Sequence, residues 1–168
     1  EVAMSIGLKT MYALHEPLES PLSRLYYAGM GYVGIEYLMD GTAMGMPADK
    51  VLARWEFDSP HTIGKLGGDR TPDLLDLVNG TPMATGNHFP DDHRVLMEVP
   101  QDFIGLKADD PDGAARLRLE TRKIFNEYLN ERDYVVADCV SGKLENGRAS
   151  FYVLEKRSGW KNNGGTQK

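Results

Sequence analysis

The sequence predicts an α+β fold, a mixed and largely antiparallel sheet with flanking helices. Two observations carry that expectation. Short apolar segments rich in β-branched and aromatic residues recur along the chain, and two longer segments repeat apolar residues at helical spacing. Their order is strand, helix, strand, strand, long loop, strand, helix, strand, strand, which suits antiparallel neighbours.

Val2 to Gly7 reads as the tail of a helix ending at glycine. Leu8 to Leu14 has the content of a buried strand, and Pro17 stops it. Ser20-Pro21 then opens a helix, with serine as N-cap and proline at the first position, where its missing N–H costs nothing. Leu22, Leu25, Tyr26 and Met30 fall at helical spacing, and Gly29 and Gly31 end the run. Tyr32 to Leu38 and Val51 to Phe57 read as an antiparallel pair joined by a loop over 41–49. From Asp58 to Arg94 the chain is rich in Gly, Pro, Asp and Thr. It is expected to be a long functional loop or insertion, with a helical turn or more at Leu74 to Val78.

Val95 to Val99 is a strand closed by Pro100. Asp110 caps the clearest helix, Pro111 occupies its first position, and Leu117, Thr121, Ile124, Phe125 and Tyr128 form one stripe to about Glu131. Strands over Tyr134 to Val140 and Ser150 to Glu155 follow, joined at Asn146-Gly147. The tail from Ser158 is polar and Gly-rich and is expected to be disordered.

Composition narrows the function classes. A formal charge of −6 over 168 residues argues against a nucleic-acid partner, which needs a basic footprint. Arg116, Arg118, Arg122 and Lys123 gather on one helix, but Glu120, Asp109, Asp110 and Asp112 offset them, so they read as a solvated face. No apolar run approaches the roughly 20 residues of a membrane span. The lone Cys139 excludes an intramolecular disulfide and suits a reducing cytoplasm, where it is expected to be a buried structural thiol.

Two sets of residues resemble a known family. Ser20-Pro21-Leu22-Ser23, then Tyr27 and Gly31-Tyr32, keep the spacing of the last conserved element of the GNAT superfamily of acyltransferases. There an Asn opens the helix, a small residue follows three later, a Tyr lies seven after the Asn, and Gly-Phe closes. Here Ser20 stands for the Asn, Ser23 for the small residue, Tyr27 for the Tyr, and Gly31-Tyr32 for Gly-Phe. Further pieces resemble a branch of predicted acyltransferases within that superfamily. They are His15 to Ser20, Gly45 to Phe57 with Pro47, Asp49 and Trp55, Val99 to Pro111, and Arg118-Leu119-Glu120-Thr121-Arg122.

The resemblance implies that 1–57 is the C-terminal half of a GNAT-like core, that 58–94 is a loop or insertion, and that 95–157 is a β-α-β-β extension on the same core, followed by a disordered tail over 158–168. It implies transfer of an acyl group from acetyl-CoA, another acyl-CoA or a carrier thioester to an amine of a small molecule. Tyr27 is then the acid at the departing thiolate, His15 or Glu16 the general base, and Ser20, Ser23 and Tyr27 the cofactor-side residues. The family's Gly-rich pyrophosphate loop does not occur upstream of the first strand, where anionic phosphate would meet helix N–H groups. A non-catalytic, GNAT-like binding or assembly subunit is therefore the alternative, and a homo-oligomer or an N-terminal half supplied elsewhere is expected. No metal is expected: His88 to His93 holds two imidazoles and two carboxylates, but Pro90 makes it a turn with no helical ligand spacing. Trp55 suits a strand core and Trp160 a mobile tail.

Overall fold

A computed structural model describes residues 7–39, 42–43, 46–69 and 73–160. The helix tail expected over 2–7 and most of the C-terminal tail lie outside the described residues. The elements are β1 (Thr10–His15), α1 (Ser20–Arg24, continuing as a π-helical turn over Leu25–Gly29), β2 (Val33–Leu38), the two-residue strands β3 (Thr42–Ala43) and β4 (Met46–Pro47), and β5 (Lys50–Glu56). Then come α2 (Pro60–Leu66), α3 (Leu74–Gly80), β6 (Arg94–Val99), α4 (Phe103–Asp109), α5 (Pro111–Phe125, with a π-helical turn over Asn126–Glu131), β7 (Tyr134–Leu144) and β8 (Gly147–Lys156).

One six-stranded sheet in the order β1-β5-β2-β7-β8-β6 organises the chain, and every pairing within it is antiparallel. The α+β class therefore holds, while the sheet is antiparallel rather than mixed. The join between β2 and β7 is narrow, made through the single register pair Gly34–Val136. A Cβ at Gly34 would stand 2.8 Å from Val136 Cβ and 2.9 Å from the Tyr27 hydroxyl, so only glycine admits both neighbours. Beyond that pair β2 is tied to the end of α5 instead: Asn130 accepts from the Tyr37 N–H at 3.1 Å and donates to its carbonyl at 2.9 Å.

The main core lies on the face covered by α1 and α5, where Tyr27, Tyr37, Phe125, Tyr128, Tyr134 and Tyr152 are sealed. Asp110 caps α5 as expected, accepting from the Gly113 N–H at 2.8 Å. At α1 the cap differs from the expectation: Glu19 is the N-cap residue, no side chain caps, and Ser20 is already helical. Gly31, at φ +74°, ends α1 in the left-handed region.

Several expectations are corrected. In segment 58–94 the helical turn expected at Leu74 to Val78 is present as α3, and a further helix, α2, stands where loop was expected. Ser59 caps α2 and Asp73 caps α3, and Leu77 joins Leu96, Val140, Phe151 and Val153 in a second small core on the opposite sheet face. A helix also occupies Phe103–Asp109, where none was expected. β1, read as buried, is an edge strand: Leu8, Met11, Tyr12 and Leu14 are all exposed, the last two at 58% and 57%. Composition marks a strand, but only topology decides which strand lies at the edge. The opposite edge is protected, since Ala84 N–H donates to Leu96 and Leu96 N–H to Pro82.

The basic stripe of α5 is likewise not a solvated face. Arg118 is 3% exposed and pairs with Glu16, and Arg122 makes two hydrogen bonds to Asp49, at 2.6 and 2.8 Å. Asp49 is fully buried and also accepts from the Tyr37 hydroxyl at 2.7 Å. Removing Arg122 leaves a buried carboxylate without its cation. Arg122→Ala is expected to cost about 3 kcal/mol, read as a lowered urea midpoint, whereas Arg116→Ala on the exposed side of α5 should stay within about 0.5 kcal/mol.

Candidate functional site

The residues singled out in sequence converge beneath α1. β1 alternates faces, so Ala13 and His15 turn to the same side, and buried His15 closes the strand directly below the helix. His15 Nε2 lies 2.6 Å from the Tyr27 hydroxyl, and His15 Nδ1 lies 3.2 Å from the Glu16 carbonyl. A carbonyl can only accept, so Nδ1 carries the ring proton and Nε2 accepts from the phenol. The rings of Tyr26 and Tyr27 flank the imidazole edge-on, and Tyr152 meets Tyr27 in the same way.

The pair is sealed. Tyr27 is 0% exposed and His15 2%. Burial pushes the His15 pKa down to about 4, outweighing the raising influence of Glu16, so the imidazole is neutral and a weak base. Burial raises the Tyr27 phenol well above its ordinary value, with Cys139 and Tyr26 adding to the shift. A phenol of that kind holds its proton, which is the opposite of what a thiolate-protonating acid requires.

Each remaining candidate has a partner within the protein. Glu16 is ion-paired with Arg118 and also accepts from the Leu18 N–H at 3.1 Å. Ser20 donates to the Gln101 carbonyl at 3.2 Å. Tyr152 donates to the Pro17 carbonyl at 2.6 Å and lies 2.5 Å from the Ser23 hydroxyl, which also reaches the Glu19 carbonyl at 3.2 Å. The geometry gives Glu16, Ser20 and Ser23 structural roles: they fasten the turn between β1 and α1 to α5 and β8.

Residues that sequence reading passed over complete the cluster. Asp49, Arg118 and Arg122 stand within the segments that carry the family resemblance, and they meet one another's partners across 73 and 102 residues of chain. Cys139 is buried with its thiol pushed up to about 12 by desolvation, as expected of an inert structural cysteine. The 88–93 turn serves the core: Pro90 and Asp92 carbonyls accept from Tyr128 and Tyr134 at 2.7 and 2.6 Å. Among the described residues no three metal-ligating side chains come together, and no helix is long and apolar enough to cross a membrane.

Compared with known proteins, the chain matches no family model, no curated protein and no solved structure.

The depressed histidine links the site to stability. Its folded pKa of about 4 lies below the unfolded value of 6.5, so the unfolded chain takes up the proton first as pH falls. The resulting stability is full above 6.5 and is lost between 6.5 and about 4, a difference of about 3 kcal/mol. Urea midpoints of the wild type and His15→Gln, compared from pH 7 to pH 4, should show the excess loss only in the wild type.

Proposed function

We propose that this chain acts as a GNAT-like half-domain whose sheet is finished by further polypeptide along β1. Acyl transfer from CoA or a carrier thioester to a small-molecule amine is then the activity of the finished fold. The added polypeptide contributes a strand by main-chain hydrogen bonds and carries the phosphate-binding Gly-rich loop, in the same chain or in another.

The observation that supports this reading is the contrast between the two sheet edges. β6 is covered by 82–84, whereas β1, with no further strand beyond it among the described residues, presents Leu8, Met11, Tyr12 and Leu14 to solvent, with Lys9 ahead of the strand and no charge, proline or bulge between Thr10 and Leu14. Natural edge strands that stay uncovered are blunted by such devices, and this one is not. The same strand ends at His15, so whatever covers it lies beside the His15–Tyr27 pair.

A second reading, a purely non-catalytic binding or assembly subunit, is favoured by the sealed phenol. With no exposed surface and a raised pKa, Tyr27 neither meets a thioester nor yields a proton readily as the fold stands. On both readings Tyr27 is closed to a thioester within the described residues.

Two measurements test this. Isothermal titration of the isolated chain with acetyl-CoA should be silent at micromolar concentration. Saturable heat there would place the thioester site within these residues and restore Tyr27 as its acid, with Tyr27→Phe then abolishing turnover. In sedimentation the chain should associate as concentration rises, and Leu14→Lys should reverse this without lowering the melting temperature. A strictly monomeric wild type would remove the case for completion along β1.

A further inference from the structure

On the opposite face of the sheet, a groove of about 630 Å³ runs between α3 and the tip of the β7–β8 hairpin. Its size falls within the roughly 300–1,000 Å³ of small-molecule sites. Alternation along β8 turns Ala149 and Phe151 to this face, while Tyr152 enters the main core. α3 meets them with Leu75, Val78 and Asn79, three and four residues apart on one helical face, and Met83 completes the apolar lining.

The edge of β8 is open beside this groove. β6 pairs with β8 only as far as Val99 and Ser150, and the chain then leaves for the main-core face, where Gln101 donates to the Ser150 hydroxyl at 2.6 Å. Gly147, Arg148 and Ala149 therefore have β7 on one side and, among the described residues, no strand on the other. Their outward N–H and C=O groups form a short template for an added strand.

The two ends of the groove differ in charge. Glu98, in register with Phe151, brings a carboxylate to one end. Arg148, three residues back along β8, brings a guanidinium to the other, about 10 Å away along the strand. Neither makes an ion pair or a side-chain hydrogen bond among the described residues, whereas Arg94 and Glu155, on the same two strands, pair with each other. The remaining charges of the hairpin tip are Lys143, in register with Arg148, and Glu145 in the turn. Like charges opposed across a ladder repel, and an anion at Arg148 relieves that repulsion. On α3, Asp73 is engaged in capping and Asp76 is not part of the lining.

From this arrangement we infer that the groove binds a short apolar peptide of two or three residues in extended form. Its main chain adds to the β8 edge at 147–149, and its side chains meet Leu75, Val78, Met83 and Phe151. Its amino terminus lies at Glu98 and its carboxylate at Arg148. Such a ligand is neutral as a whole, so recognition depends on where the two charges stand and not on a net sign. An extended tripeptide spans about 10 Å, which matches the separation of the two strand positions. The groove lies on the sheet face away from Tyr27, and the inference does not rest on the acyl-transfer reading.

Titration of the intact chain with the peptide Leu-Val-Leu, followed in ¹H–¹⁵N spectra, tests this. The amide signals of Gly147, Arg148 and Ala149 should shift saturably. Acetylating the peptide's amino terminus should weaken binding about four-fold. Amidating its carboxylate should weaken it about two-fold, the smaller effect because Glu145 shares the turn with Arg148. Glu98→Gln, a change at an exposed side chain, should bind the free and the acetylated peptide alike. The inference is overturned if 147–149 show no saturable shift, if the doubly blocked peptide binds as tightly as the free one, or if Glu98→Gln still favours the free amino terminus.

Discussion

Six tyrosines are buried in the main core: Tyr32 turns its hydroxyl to the Met11 sulfur, and the other five need an oxygen or nitrogen acceptor. A buried phenol left unpaired costs about 1–3 kcal/mol, so the fold must deliver an acceptor to every one. It does so from outside the regular elements or from their ends. Tyr27 donates to His15, Tyr37 to Asp49, Tyr128 to the Pro90 carbonyl, Tyr134 to the Asp92 carbonyl and Tyr152 to the Pro17 carbonyl. Loops that could have wandered are held at fixed points by this requirement. The 88–93 turn and the 15–17 turn both owe their placement to it.

Charge follows the same logic. Asp49 is one of those acceptors and Glu16 lies between two others, His15 and Pro17, and α5 meets the two carboxylates with Arg122 and Arg118. A buried ion pair of this kind contributes little net stability but punishes any arrangement that separates it. The clamps therefore fix how α5 lies across the sheet more than they hold it there. Apolar burial of Ala114, Ile124 and Phe125 does the holding. Beneath them the His15–Tyr27 pair resembles a catalytic dyad in distance and differs from one in burial: both pKa values are displaced away from proton transfer.

The two faces of the sheet have different characters. One is a closed aromatic core. The other is covered by the short helices α2 and α3 and leaves an apolar groove past the end of β6. On that side Trp160, expected in a mobile tail, packs edge-on against His61. Chemistry-bearing residues in sequence proximity, such as His15, Glu16 and Tyr27, ended in the closed core. Those of the groove, Glu98 and Arg148, lie far apart in the chain and carried no local signal.

Local pattern marked the six strands of the main sheet, the Asp110-capped helix with its apolar stripe, and the α+β class, because these depend on periodicity and capping within a few residues, whereas β3 and β4 fell in a segment read as loop. It also marked the segments that meet in the core, although not why they meet. Only the tertiary structure decided that β1 is an edge, that Arg118 and Arg122 face inward, that 58–94 covers a second face, and that Tyr27 is sealed. Each of those outcomes depends on which partner arrives from 40 to 130 residues away, and burial is a property of that arrival rather than of the residue. Whether water and substrate reach the His15–Tyr27 pair is set by everything packed around it.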